Sequence, residues 1–187
     1  MKAQHFSAML ALPFAASVLG AGGAAAAPSA CDAIAGNLVA NCGFELTTVW
    51  SGEYQDNSNP HTGNFADAIL YSGTLEQTIP TLTDETYTLT FWAIAAVPSD
   101  APFDPTLDVS FGGTSVLTTP TLTSSTYDEF TTTVTASSTS SVLEFDVNSD
   151  GYGYIDDVSL VPAPEPASVA LFATGLAGLA GLRRRRR

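Results

Sequence analysis

Carboxylates are the residues in this chain with the greatest capacity for chemistry. All 19 Asp and Glu residues lie between Asp32 and Glu165, whereas the six Lys and Arg residues are Lys2 and the final arginine run. The region between the two ends therefore has no basic side chain to pair its acids. Such a polyanion repels phosphate backbones, which excludes nucleic acid as a partner. Its self-repulsion leaves two interpretations open, specific divalent-cation sites or a diffuse acidic coat that keeps the protein soluble.

Other catalytic groups are scarce. Besides His5 near the N-terminus, the sequence has one histidine, His61, and it shows no Ser-His-Asp arrangement, histidine metal cluster or phosphate loop. Two carboxylates about 5 to 9 Å apart can hydrolyse a glycoside, but many acids produce such pairs by chance. We therefore predict no catalytic residues and no enzyme, with a small glycoside-active enzyme as a remote alternative. His61 is expected to be structural, before a Thr62-Gly63 turn.

The N-terminal end has the composition of a signal peptide. Lys2 is followed by an apolar stretch at Met9–Leu19 and by small residues at Gly20–Ala27. The apolar stretch is too short to span about 30 Å of hydrocarbon, which argues against a retained anchor. Residues 1–27 are therefore predicted to direct export and to be removed.

The C-terminal end, residues 163–187, combines a proline-rich motif, an apolar segment and a basic run. The motif is Pro164, Glu165 and Pro166, and the basic run is Arg183, Arg184, Arg185, Arg186 and Arg187. The uncharged residues 167–182 would form a helix of about 24 Å, which is marginal for a bilayer of about 30 Å. The arginines hold the C-terminus in the cytoplasm, so the acidic region is predicted to lie on the opposite side of the membrane.

This tail resembles the PEP-CTERM sorting tail of Gram-negative bacteria. The resemblance implies that a membrane enzyme of the exosortase type cuts near the Pro-Glu-Pro motif, so that the tail is a substrate. It also implies a precursor tethered transiently in the inner membrane and a product at the cell surface or outside the cell. The alternative is an ordinary tail anchor with a chance Pro-Glu-Pro.

Export bears on the two cysteines, Cys31 and Cys42, because disulfides persist outside the cytoplasm. Metal binding or thiol catalysis would need nearby histidines or a third sulfur. We therefore predict a disulfide that ties the N-terminus to the first strand and contributes about 2 to 3 kcal/mol.

Residues 28–162 alternate apolar and polar side chains with a period of two, which is typical of β-strands. Eight or nine such stretches, separated by Gly, Pro, Asp and Ser, predict an all-β antiparallel sandwich. The stretches are Leu38–Phe44, Phe65–Tyr71, Leu75–Ile79, Tyr87–Ala95, Leu107–Phe111, Ser115–Thr118, Phe130–Val134, Leu143–Val147 and Val158–Leu160.

The order of several phrases in this region resembles carbohydrate-binding-module-like jelly rolls with a galactose-binding-like pattern. The phrases are NLVANCGFE at 37–45, PHTGNFA at 60–66, LEQTI at 75–79, YTLTFWA at 87–93 and YIDDVSL at 154–160. The resemblance implies a jelly-roll β-sandwich between the signal helix and a short transmembrane helix. It also implies a structural Ca²⁺ that joins Glu45 to Asp156, with Asp157 as a helper. The alternative is that Asp156 caps a turn and Glu45 is solvated.

Sugar binding usually requires exposed aromatic rings together with amides or carboxylates. The candidate ligand-binding residues are Trp50, Tyr54, Asn57, Trp92 and Tyr152. The alternative is that Trp50 and Tyr54 only fill the edge of the sandwich, and that Trp92 belongs to its second layer. The sequence therefore favours an exported, non-catalytic sandwich that binds extracellular polysaccharide, with a structural matrix or surface protein as the alternative.

Overall fold

The computed structural model describes residues 28–47, 49–70, 73–95, 106–119, 122, 126–148 and 152–164. The predicted signal peptide and the tail from residue 165 onward lie outside these residues. Within them the chain forms one short 3₁₀ helix, Ala30–Ala33, and nine strands. The strands are β1 Gln55–Asp56, β2 Ala66–Leu70, β3 Thr74–Pro80, β4 Thr86–Ala95, β5 Thr106–Phe111, β6 Thr114–Thr118, β7 Asp128–Thr135, β8 Ser140–Asn148 and β9 Tyr152–Pro162. No helix in the described part of the chain has the length and apolar character needed to cross a bilayer.

The strands form two antiparallel sheets. One sheet has five strands in the order β1-β2-β9-β4-β7, and the other has four in the order β3-β8-β5-β6. Each strand pair in both sheets is antiparallel. The predicted all-β jelly-roll sandwich is confirmed.

The core lies between the sheets and follows from the alternation in the sequence. On β4, Leu89 and Phe91 are fully buried, and on β8 Leu143 and Phe145 are fully buried as well. The rings of Phe91 and Phe145 meet edge to face at 5.1 Å between centroids, which joins the two sheets.

The predicted strand Leu38–Phe44 is wrong, because this segment has no strand and runs through turns from Ala40 onward. Two backbone hydrogen bonds join it to β9, from Leu38 N–H to the Leu160 carbonyl and from Val158 N–H to the Cys42 carbonyl, both at 2.9 Å. Side chains supply further contacts. The side-chain oxygen of Asn37 accepts a hydrogen bond from a β9 backbone amide, and the Gln77 amide pairs with both backbone groups of Ala40 at 2.9 Å. Asn41 adopts a φ of 49°, which breaks the extended conformation. The segment is therefore held against both sheets without forming a strand of either.

The predicted disulfide between Cys31 and Cys42 is present, with the two Cα atoms 6.0 Å apart. It joins the 3₁₀ helix to the turn that precedes Phe44. The backbone N–H of Cys31 also donates to Asp157 on β9 at 3.1 Å. The start of the described body is thus bound covalently to its neighbouring turn and by a hydrogen bond to the last strand.

Candidate functional site

A β-bulge in β9 positions the two consecutive acids of that strand. Thr90 of β4 is opposite Ser159, but Trp92 is opposite Asp156, so the register shifts between them. Asp157 has a φ of 49° at this point. A bulge re-aims side chains that would otherwise alternate. As a result, Asp156 and Asp157 are both buried and both contact the same loop.

The loop that these acids hold begins at His61. Asp156 Oδ2 accepts the backbone N–H groups of His61 at 2.8 Å and Thr62 at 3.1 Å. Asp157 accepts the Thr62 hydroxyl at 2.7 Å and lies 2.7 Å from His61 Nδ1. The pKa of Asp156 is raised to about 7, first by burial and then by the charge of Asp157.

Glu45 holds the other end of the same loop. Its Oε1 accepts the backbone N–H groups of Asn64 at 2.5 Å and Phe65 at 3.1 Å, and its Oε2 accepts the Asn64 amide at 3.1 Å. Gly63, between the two anchor points, has a φ of 69°. A Cβ at Gly63 would overlap the Glu45 carboxylate, so the turn requires glycine. We call Glu45, Asp156 and Asp157 the loop clamp.

The loop clamp does not present a ready set of oxygens for the predicted Ca²⁺. Both carboxylate oxygens of each of its three acids already accept hydrogen bonds from the protein. Among the described residues, the one group of three donors within 4.8 Å of one another is Cys31, Asp32 and Cys42, and its sulfurs are bonded to each other. Calcium at Glu45, Asp156 and Asp157 stays a prediction, and its residues fit a loop anchor better than a cation site.

His61 has the structural surroundings expected for it. Its ring stacks on Trp92 at 4.1 Å between centroids and lies 5.1 Å from the Tyr127 ring. Burial raises the pKa of Tyr127, whose hydroxyl donates to the Asn59 carbonyl at 2.6 Å. One face of Trp92 is therefore covered by His61, which leaves less of this ring for a sugar.

A second group of acids lies where β1 meets β2. Asp67 is on the same face of β2 as the core residue Ile69 and is fully buried. Its Oδ1 accepts the Tyr54 backbone N–H at 2.6 Å, and Glu53 Oε2 accepts the Trp50 backbone N–H at 3.3 Å. The remaining oxygens, Asp67 Oδ2 and Glu53 Oε1, are buried and have no hydrogen-bond partner. We call Glu53 and Asp67 the acid pair.

An open groove of about 710 Å³ crosses the outer face of the four-stranded sheet. Carboxylates, hydroxyls and glycines form most of its lining, and none of the residues described there is aromatic. The lining residues are Glu76, Asp108, Val109, Ser110, Gly112, Gly113, Ser115, Ser137, Ser138, Ser140, Val142, Glu144 and Asp146.

Strand register arranges the groove acids in two rows. Glu76 of β3 is directly opposite Glu144 of β8, and Asp108 of β5 is directly opposite Asp146 of β8. The Thr118 hydroxyl donates to Asp108. Like charges directly opposite each other destabilise a sheet. The groove therefore keeps four carboxylates close together at a cost in stability.

The predicted sugar-binding residues occupy different environments. Trp50 is only 4% exposed, lies between the rings of Phe44 and Phe145, and donates its indole N–H to the backbone of Asn41. Its assignment as a ligand-binding residue is wrong, because a buried ring cannot stack on a sugar. It fills the edge of the sandwich instead.

The other aromatic and amide candidates stay predictions. Tyr54 is 55% exposed, and Asn57 is exposed after β1. Trp92 is half-buried under His61, and the Tyr152 side chain lies outside the described residues. None of these four residues is among the described residues that line the groove over the four-stranded sheet.

Residues 162–186 match the PEP-CTERM protein-sorting motif. The chain carries a PEP-CTERM sorting signal. This signal implies export, with the protein anchored at the membrane before an exosortase processes it. No curated protein sequence matches the chain.

The described body is similar to solved carbohydrate-binding domains. A xylan-binding domain of family 22 has a TM-score of 0.57 and 11% identity, and the match covers 69% of this chain and 96% of that one. A second xylan-binding domain, from Paenibacillus barcinonensis, has a TM-score of 0.50 and 15% identity, covering 65% and 93%. A Clostridium thermocellum xylanase that contains such a module has a TM-score of 0.54 and 12% identity, covering 70% and 29%. These similarities establish the shared jelly-roll fold.

Sequence reasoning missed the acid pair and the groove. Asp67 has the same parity as Phe65 and Ile69 in its strand. The alternation therefore predicts that this acid lies on the core face, and that unusual position could have been noticed in the sequence. The groove acids occupy ordinary polar positions of alternating strands. Only the register of β3, β8 and β5 brings them together, and register is not visible in a single strand's pattern.

Proposed function

We propose that the exported sandwich is a non-catalytic domain that binds extracellular polysaccharide in the groove over its four-stranded sheet. The observation that supports this is a groove of about 710 Å³ lined by carboxylates and serine hydroxyls, on a fold shared with carbohydrate-binding domains. Its volume falls within the range of about 300 to 1,000 Å³ usual for ligand sites. The exosortase-type enzyme that reads the tail is the processing partner.

The groove chemistry favours one class of glycan. Carboxylates and serines such as Glu144 and Ser110 exchange hydrogen bonds with sugar hydroxyls. Four acids repel uronic-acid or sulfated chains, because like charges juxtaposed in a desolvated contact are costly. The ligand is therefore a neutral or amine-bearing polysaccharide, held mainly by hydrogen bonds.

A structural matrix or surface protein without sugar binding is the second candidate. It is favoured by the burial of Trp50 and by His61 covering Trp92, together with the lack of aromatic residues among the described groove lining. In that case the acidic surface serves solubility and spacing within the matrix.

The test uses protein recovered from the medium of a bacterial host that processes such tails. Its intact mass shows whether the signal and the arginine run have been removed, and a glycan array then measures binding. We expect saturable binding to neutral or amine-bearing chains. The double variant Glu144→Gln and Asp146→Asn should weaken binding at least tenfold, whereas Glu129→Gln, which changes an exposed acid on β7, should not.

Three outcomes would count against parts of this proposal. Silence across the array supports the structural candidate. Binding that survives the groove variants but is lost in Tyr54→Ala moves the site to the predicted aromatic residues. Mature protein that keeps Arg183–Arg187 contradicts processing of the tail.

A further inference from the structure

The acid pair leaves two carboxylate oxygens without partners inside the protein. In the described part of the chain, the buried side-chain oxygens that lack a hydrogen-bond partner are Ser29 Oγ, Glu53 Oε1 and Asp67 Oδ2. Asp67 is 0% exposed. A buried charged oxygen without a partner is costly, so its environment must supply a cation or a proton.

The backbone holds both acids in a matching way. Tyr54 N–H donates to one oxygen of Asp67, and Trp50 N–H donates to one oxygen of Glu53. Both donors belong to the same short segment, 50–54, and the N–H that holds Asp67 directly follows Glu53 in the chain. Burial raises the pKa of Asp67, and the two acids are near enough for the charge of Glu53 to raise it further. Backbone donors favour the ionised form of a carboxylate. Each acid therefore has one oxygen occupied and one available.

A depression in the surface leads to Glu53 of the acid pair, and no Lys or Arg lies in the same region of the sequence. The nearest Lys or Arg residues in sequence are Lys2 and Arg183, beyond both ends of the sandwich. A depression of about 260 Å³, lined by Thr47, Trp50, Gly52, Glu53 and Gln55, opens beside Glu53. An ion and its water can reach Glu53 through this depression.

We propose that Glu53 Oε1 and Asp67 Oδ2 bind a hydrated divalent cation, Ca²⁺ or Mg²⁺, at the edge of the sandwich. Both ions are hard cations that take carboxylate oxygens, and Mg²⁺ in particular binds through one or two carboxylates while it keeps several waters. The cation neutralises two acids that no side chain in this region can pair. This site is separate from the loop clamp, whose oxygens already have donors.

A proton on Asp67 is the competing occupant. It would neutralise the buried carboxyl without any metal. Burial, together with the charge of Glu53, raises the pKa of Asp67 to about 7. Measurements at about pH 8 therefore separate the two occupants, because the proton is largely lost there and a cation binds best.

The experiment titrates the full-length protein, purified in mild detergent and freed of metal by a chelator, with CaCl₂ or MgCl₂ in a calorimeter at about pH 8. We expect wild-type protein to bind one of these ions, and Glu53→Gln and Asp67→Asn each to weaken that binding at least tenfold or to remove one equivalent. Asp84→Asn is the charge-matched control at an exposed acid and should bind like wild type. Asp156→Asn should keep this site, which separates it from any ion at the loop clamp.

If Asp67→Asn does not fold, Glu53→Gln still tests the proposal, because Glu53 is only partly buried and its substitution should leave the fold intact. Equal binding by wild type, Glu53→Gln and Asp67→Asn would overturn the proposal. So would wild-type protein that binds neither ion. If its stability then rises below about pH 7 in a way that Asp67→Asn abolishes, Asp67 holds a proton and not a cation.

Discussion

The loop clamp and the acid pair each contain a buried and a partly buried acid in a region without Lys or Arg, but their carboxylate oxygens differ in their partners. At the loop clamp, backbone N–H groups, a threonine hydroxyl and a histidine ring satisfy both oxygens of each carboxylate. At the acid pair, one oxygen of each carboxylate has no partner. The hydrogen bonds of the first cluster should therefore hold its loop, although burial and the charge of Asp157 raise the pKa of Asp156 to about 7. The second cluster should destabilise the fold until a cation or proton binds.

The largest expected effect comes from removing an acid of the loop clamp. Asp157→Ala leaves the Cys31 N–H, the Thr62 hydroxyl and the His61 ring without their shared acceptor. We expect the free energy of unfolding to fall by about 3 to 5 kcal/mol, measured by urea unfolding. Glu129→Ala, at an exposed position on β7, should change it by less than about 0.5 kcal/mol. Equal effects of the two substitutions would mean that the clamp does not hold the loop.

The acid pair should respond with the opposite sign. Without divalent ions, Asp67→Asn removes a buried charge, so we expect a gain in stability of about 2 to 4 kcal/mol at about pH 8. The folded-state pKa of Asp67 is raised from 3.8 to about 7. Its contribution is therefore fully present below about pH 4 and is lost as the pH rises to about 7.

Urea unfolding in chelator at several pH values checks this prediction. Wild-type stability should decline across that window, and Asp67→Asn should remove the part of the decline that belongs to Asp67. Asp156, whose pKa is also raised to about 7, should retain its own share in both proteins. Identical pH profiles of wild type and Asp67→Asn would show that the buried charge of Asp67 does not lower the stability of the protein.

The smallest expected effect on stability concerns the acids of the groove, which are less buried than Asp67. Glu144→Gln removes the like charge directly opposite Glu76 in the groove. We expect a gain of about 0.2 to 1 kcal/mol at low salt that shrinks at high ionic strength, because salt screens exposed charges. Thermal unfolding at two salt concentrations measures it. A loss of stability instead would indicate that the groove acids are not in repulsion.

The sandwich could be predicted because its strands alternate with a period of two. That alternation alone marks Leu89 and Phe91 on β4, and Leu143 and Phe145 on β8, as core positions, and all four are buried. The segment 38–44 misled the prediction, since its apolar residues also alternate. Two isolated backbone hydrogen bonds to β9 and the side-chain amides of Asn37 and Gln77 hold it, and such contacts have no periodic signature.

The candidate sites were less accessible from the sequence. The resemblance grouped Glu45 with Asp156 and Asp157, and the structure brings all three to one loop. The bulge that turns both aspartates onto that loop depends on pairing with β4. For Trp50 the sequence left both a ligand site and the edge of the sandwich open, because aromatic residues serve both cores and ligand sites. Its burial against Phe44 and Phe145 depends on how the preceding turns fold back, which no local pattern encodes.

The placement of β9 also bears on the processing of the sorting tail. The last strand is hydrogen-bonded to β2 and β4, and its Asp157 receives the Cys31 N–H from 126 residues earlier in the chain. Contacts so distant in sequence make folding slow. The five-stranded sheet cannot be completed without residues 152–162, and the sorting motif begins at residue 162. The last strand of the domain therefore runs directly into the sorting signal, so a cut close to the start of that motif would fall beside the strand that completes the sheet.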